Sequence, residues 1–178
     1  MTKPLIYIKE RIGNNKRSFV IINPFTGRGI PINHKLVQKK CKELVSKLKL
    51  DDIDYILGFC EQGIVPAYTI AFLTKIPFIS STRTRLNDHT EIHFVEEHSM
   101  FPNQYIYGLK KGDKVAIIED EITTGKTLCN AITSLHQKGV EVKEVGALIM
   151  TSDTNNLGKL KKQAINPKYI FTKEDIIF

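Results

Sequence analysis

With 178 residues, 42% of them hydrophobic and 25% charged, the chain has the makeup of a soluble globular protein and fits one domain with a real core. No apolar run approaches membrane-spanning length, and the polar stretch from Met1 to Arg17 lacks a signal-peptide core, so a cytoplasmic protein without membrane contact is expected. The net charge of +7 suits an anionic ligand or nucleic acid, but much of it is scattered lysine, with Lys159, Lys161 and Lys162 in one late run, and charge alone does not choose.

Short strands are predicted at 5–9 and 18–22, the second (Ser18-Phe19-Val20-Ile21-Ile22) being the clearer. A turn-rich loop, Asn23 to Gly29, leads to an amphipathic helix over 33–48, with Val37, Cys41, Leu44, Val45 and Leu48 on one face and lysines opposite. Asp54 to Phe59 reads as a buried strand. It ends in Cys60-Glu61-Gln62-Gly63 and enters a helix from Val65 to Leu73, with Pro66 tolerable only in the first turn. Pro77 to Ser80 is the next strand, followed by Arg83 and Arg85 and by a polar arm to Gln104 with a strand-like centre at Glu91–Val95.

Val115-Ala116-Ile117-Ile118 is then a buried strand running into Glu119, Asp120 and Glu121 and the turn Thr123-Thr124-Gly125-Lys126-Thr127. Leu128, Ala131, Ile132 and Leu135 mark a helix that Gly139 would cap, and Val145 to Met150 is another buried strand. This order predicts an α/β, Rossmann-like doubly wound and mainly parallel sheet in a single domain, its core at about 33–152. Ligands of such sheets sit outside the carboxyl ends of the strands, where all of these loops fall. The cysteines Cys41, Cys60 and Cys129 form no C-x-x-C pair, and Cys41 sits on an apolar helical face, so reduced thiols are expected.

The strand–turn–helix at 115–135 carries the chemistry. Unpaired amides and the dipole at the helix N-terminus favour an anion such as phosphate. The acids beside it would repel a phosphate and need another partner, and the vicinal hydroxyls of a sugar suit ionised carboxylates, which are pure acceptors. A sugar phosphate is the inferred ligand. Gly125-Lys126-Thr127 also matches the end of a P-loop, but that pattern needs glycine where the chain has Asp120, and a carboxylate would repel polyphosphate there. A polar strand end and a threonine helix cap would account for parts of the segment but not for its full order.

The segment resembles the phosphoribosyl-pyrophosphate (PRPP) signature of the type I phosphoribosyltransferases, which include the orotate and purine enzymes: four apolar residues, two acids, then T-T-G-x-T. The resemblance implies transfer of a 5-phosphoribosyl group from PRPP to a nitrogenous base with release of pyrophosphate, by a Mg²⁺-dependent homodimer with a small hood and a flexible lid. It assigns the ribose hydroxyls to Glu119 and Asp120, and the 5′-phosphate to Thr123, Thr124, Gly125, Lys126 and Thr127. Cys60, Glu61, Gln62 and Gly63 match the family's pyrophosphate loop; taken alone they read as an ordinary βα turn. Arg83, and more weakly Arg85, stand where relatives carry a basic residue toward pyrophosphate; solvated surface arginines are the plainer reading. No direct protein ligand to the metal is expected, Mg²⁺ being held through PRPP and water near Glu119 and Asp120.

Glu121 departs from the family, where many members have an apolar residue; it points away from the ligand or meets a partner subunit, and the sequence does not decide. Asp120-Glu121-Ile122-Thr123-Thr124-Gly125, Ser81-Thr82-Arg83 and Glu96-Glu97-His98-Ser99 also resemble the phosphoribosyltransferase-like proteins of bacterial tellurite-resistance gene clusters. His89, His93 and His98 lack zinc-site spacing, so the 83–104 arm is expected to be a lid that excludes water. The N-terminal segments, with Phe25 near a base or simply packed, and the C-terminal segment would supply the hood. A non-catalytic PRPP or nucleotide sensor on the same fold is the alternative, and the acceptor base stays open.

Overall fold

Five strands, all parallel, stand side by side in the order 78–80, 55–58, 114–122, 141–150, 168–171 and form the spine of the described residues. The structure is a computed structural model that describes residues 6–10, 19–96, 99–151, 160 and 163–176. The strands of the spine are β3 (Tyr55–Gly58), β4 (Phe78–Ser80), β7 (Lys114–Ile122), β8 (Glu141–Met150) and β9 (Lys168–Phe171). Among the described residues three α-helices cover it: α1 (His34–Val45), α2 (Ile64–Thr74) and α3 (Lys126–Gln137). Two small antiparallel hairpins complete it, β1 (Tyr7–Glu10) with β2 (Phe19–Ile22), and β5 (Ile92–Val95) with β6 (Asn103–Ile106). The lysine run at 159, 161 and 162 lies outside the described residues, as do the outer ends of the first two predicted strands.

The central strand explains the layering. Val115, Ala116, Ile117 and Ile118 are all fully buried, an unbroken apolar run of the kind that a strand covered on both faces requires. Its side chains alternate between two cores. Val115 and Ile117, with Leu57, Val145 and Ala147, meet Leu128, Ile132 and Leu135 of α3. Ala116 and Ile118, with Ile56 and Leu148, meet Val37, Cys41 and Leu44 of α1 and Ala67 and Ile70 of α2. Asn33 starts α1 as its N-cap, its Oδ1 accepting from Leu36 N at 3.1 Å. The helix stops at Val45, where the predicted helix continues to 48.

The strand order reverses between β3 and β7: one connection leads outward to β4, the other to β8 on the opposite side. That reversal opens a crevice at the carboxyl ends of β3 and β7.

Two features depart from the sequence reading. First, β7 continues through the acids to Ile122, because β8 is long enough to pair with it there: Glu119 stands opposite Ala147 and Glu121 opposite Ile149. Second, the limbs of the arm belong to the core. Ile92, Phe94 and Ile106 are buried against α3, the rings of Phe94 and Phe59 lie 4.7 Å apart, and Asn130 Nδ2 donates to Val95 O at 3.0 Å. Phe25, read as near a base or simply packed, is fully buried and stacks on Phe171 at 5.7 Å between ring centroids, which is the packed alternative.

Candidate active site

A cavity of about 430 Å³ opens in the crevice at the strand reversal. Its wall is built by the end of β7 (Glu119, Asp120, Glu121), the loop Phe59–Gly63, the arm (Arg83, Glu96, Ser99, Met100, Phe101, Gln104) and, from the N-terminal part, Val20 and Arg28. A smaller hollow of about 60 Å³ adjoins it over residues 122–128. Glu121 lines the cavity and is not turned away from it.

Asp120 is buried, and Glu119 and Glu121 beside it are half-buried. Glu119 Oε1 accepts from Phe59 N at 3.2 Å across the β3–β7 seam. Burial, then the neighbouring charge of Asp120, pushes the Glu119 carboxyl well above the usual carboxylate range, against the pull of the Phe59 amide. Asp120 is 5% exposed and is pushed up to about 7 by burial and by Glu121, with the Arg28 guanidinium acting the other way. Two carboxyls this reluctant to ionise await a partner that repays their desolvation.

The turn after them is open to an anion. Gly125 has φ +69°, a conformation L side chains rarely adopt, and no side chain caps α3 behind it. Thr124 Oγ1 lies 3.4 Å from Lys126 N. The first turn of α3 thus offers amide hydrogens and the positive end of its dipole to the hollow lined by Thr123, Thr124, Gly125, Lys126 and Thr127.

The 60–63 loop lies beside Glu119, with a cis Cys60–Glu61 peptide. A Cβ on Gly63 would stand 2.7 Å from Glu119 Oε1, so only glycine permits this approach. Its amides do not all face a ligand, which corrects the sequence reading. Cys60 N donates to Ser81 Oγ at 2.8 Å and Gly63 N to Phe59 O at 3.1 Å. The amides of Glu61 and Gln62 have no acceptor among the described residues.

The arginines divide. Arg83 lines the cavity, but its fork is occupied: Nη1 donates to Phe101 O at 2.6 Å and Ser99 Oγ at 2.7 Å, and Nη2 lies 3.2 Å from Glu96 Oε2. Its Nε is buried without a hydrogen-bond partner. Arg85 is turned outward, 70% exposed, and spends both guanidinium contacts on Glu91 at 2.8 and 2.9 Å; it is not part of the cavity wall, which corrects its assignment to pyrophosphate. Of the arm's histidines, His93 shares a hydrogen bond with Asn103 across the hairpin at 2.9 Å, and His98 lies outside the described residues. Cys41, Cys60 and Cys129 are in no disulfide; burial pushes Cys41 up to about 12.

Ser81 and Gln104 were not assigned a site role from the sequence, and Arg28 was read only within a loop of the hood; Ser81 stood in the Ser81-Thr82-Arg83 stretch and Gln104 at the end of the arm, and they join the site through contacts between distant segments.

A family model described as phosphoribosyl transferase matches residues 5–168. A protein of Methanothermococcus okinawensis named hypoxanthine/guanine phosphoribosyltransferase is 30% identical over 129 residues, covering 72% of this chain and 70% of its own. One of the same name from Methanothermus fervidus is 28% identical over 159 residues, covering 88% and 82%. Among solved structures, adenine phosphoribosyl transferase from Trypanosoma brucei, in complex with AMP, pyrophosphate and ribose-5-phosphate, superposes with a TM-score of 0.76 at 15% identity over 97% of this chain and 78% of that one. Adenine phosphoribosyltransferase from Rhodothermus marinus gives 0.70 at 18% identity over 94% of each. At such identities the likeness is one of fold.

Proposed function

Because the chain belongs to the phosphoribosyl transferase family, we propose that it transfers the 5-phosphoribosyl group of PRPP to a ring nitrogen of a base and releases pyrophosphate. The observation that carries this reading is the reluctant acid pair Glu119 and Asp120 seated directly before an uncapped helix N-terminus. Glu119 and Asp120 accept the ribose hydroxyls and favour the positive charge that grows on C1′ as the pyrophosphate departs. The α3 N-terminus, with Thr123 to Thr127, holds the 5′-phosphate. The free amides of Glu61 and Gln62, and Arg83 once released from Glu96, take the leaving group. No covalent nucleophile is needed.

Carboxylate oxygen is the donor type that Mg²⁺ prefers, and Glu119 and Asp120 are the groups beside which it would sit. Among the described residues no three acids, histidines or cysteines converge into a preformed cage, so its remaining ligands would be PRPP and water oxygens. When bound, Mg²⁺ would neutralise pyrophosphate charge.

Relatives named for hypoxanthine and guanine support a purine acceptor. No helix of the described residues is long and apolar enough to cross a membrane. The cytoplasm is the location we propose. A homodimer is the proposed assembly, and sedimentation would test it. The activity itself is tested by pyrophosphate release from PRPP and Mg²⁺ with hypoxanthine, guanine, adenine and orotate. Release with a purine is the expected result. Tight PRPP binding with no release from any base would instead make the protein a sensor.

A further inference from the structure

One buried amide joins three segments of the candidate site. Gln104, on β6, is 1% exposed and Ser81, just past β4, is 2% exposed. Ser81 Oγ donates to Gln104 Oε1 at 2.7 Å, which leaves the hydroxyl oxygen to accept from Cys60 N at 2.8 Å. Gln104 Nε2 donates to Cys60 O at 2.7 Å and to Glu96 Oε2 at 2.9 Å. Both amide hydrogens and the carbonyl of the glutamine are thereby committed. A side chain that merely filled space here would be apolar, because burying an amide stabilises nothing unless its partners are in place.

The geometry points to Gln104 as a positioning residue for the pyrophosphate step, holding the 60–63 loop and the hairpin tip in one register. It rests on the phosphoribosyl-transfer reading above. By fixing both the N–H and the C=O of Cys60, the Ser81–Gln104 pair sets the direction of the next two amides, those of Glu61 and Gln62, which have no protein acceptor among the described residues. The same Nε2 holds Glu96, whose Oε2 also sits 3.2 Å from Arg83 Nη2. Glu96 thus occupies the arginine with a carboxylate that an incoming pyrophosphate must displace. Through Gln104, the loop that receives the leaving group and the acid that vacates its arginine share one donor.

The test compares Gln104→Met, Gln104→Glu and Ser81→Ala with the wild type. Pyrophosphate affinity in the presence of Mg²⁺ is read by calorimetry, KM for PRPP and for the base by steady-state kinetics, and folding by thermal melting. Gln104→Met should weaken pyrophosphate binding about tenfold and raise KM for PRPP similarly, with KM for the base within about twofold of the wild type. Ser81→Ala should act in the same direction, and it stands in if Gln104→Met fails to fold. Gln104→Glu supplies a pH signature. Its carboxylate can donate nothing to Glu96 or Cys60 when ionised but donates one hydrogen when protonated, so its defect should shrink as pH falls while that of Gln104→Met stays level. Unchanged pyrophosphate affinity in both Gln104→Met and Ser81→Ala, or equal losses for PRPP and base that track a lowered melting temperature, overturns the proposal. If the wild type neither binds pyrophosphate nor releases it from PRPP, the reaction itself is misassigned and the proposal falls with it; a wild type that does both, beside variants that match it, overturns the role of Gln104 alone.

Discussion

Burial and the charge of Glu121 make the ionised form of Asp120 costly in the folded chain. Its carboxyl titrates at about 7 in the fold, against about 3.9 in an unfolded chain, so between these values the folded state holds the extra proton. Stability from this group therefore falls as pH rises through that window and is level on either side. Asp120→Asn should melt above the wild type at pH 8, by about 2–4 °C per kcal/mol relieved, with the gap closing toward pH 4. A gap independent of pH would remove the titration argument. The same carboxylates are expected to matter most when a ligand is present. Glu119→Gln with Asp120→Asn should keep the fold and lose PRPP turnover by a factor of about 100 or more, measured as pyrophosphate release. Wild-type turnover in that variant would overturn the assignment of the ribose hydroxyls. These two acids were legible in the sequence because the chemistry is contiguous: strand, acids, turn and helix follow within thirteen residues, from Val115 to Thr127. The Ser81–Gln104 pair was not, since 23 residues separate its members and only the packing of the hairpin brings them together.

At the scale of the element, the β5–β6 hairpin divides into a rigid root and a working tip. Phe94 is 2% exposed against Phe59, one residue before the 60–63 loop. Phe94→Ala should cost about 3–5 kcal/mol in chemical denaturation and weaken PRPP binding through the displaced loop. The tip, by contrast, exposes Met100 and Phe101 at 67% and 68% and is tied down mainly through Arg83. Limited proteolysis by a protease of broad specificity should cut within 96–102 and spare the limbs, and PRPP with Mg²⁺ should suppress those cuts. Cleavage unchanged by ligand would deny the tip a gating role. Polarity marked the arm as a segment apart, and its centre was legible as a strand from Ile92 and Phe94. The second limb, Asn103-Gln104-Tyr105-Ile106, has too short an alternation to stand out from its polar surroundings, and its strand character comes from pairing with the first. The extension of β7 through its acids had the same origin: β8, running beside it to Met150, supplies the partners that local propensity would not.

For the molecule as a whole, the doubly wound order was legible because each buried strand announced itself as an apolar run followed by a turn and a helical period. The reversal of that order between β3 and β7 then places the acids, the anion-binding turn and the 60–63 loop at one opening without further instruction from sequence. The far edge of the sheet was less legible, since β9 is four residues long and its place is set by contacts: Phe171 closes over Phe25, and Lys40 Nζ stands 5.1 Å above the same ring. The family match ends at Lys168, the first residue of this strand. A chain ended before it would leave β8 as the rim of the sheet, with a row of unshared amides and carbonyls along Gly146, Ala147 and Ile149 and bare apolar faces to either side. Such a rim is a template for another copy of itself. The last strand takes up that stretch of β8 and moves the edge of the sheet onto four residues, too short a rim to offer another copy much to pair with.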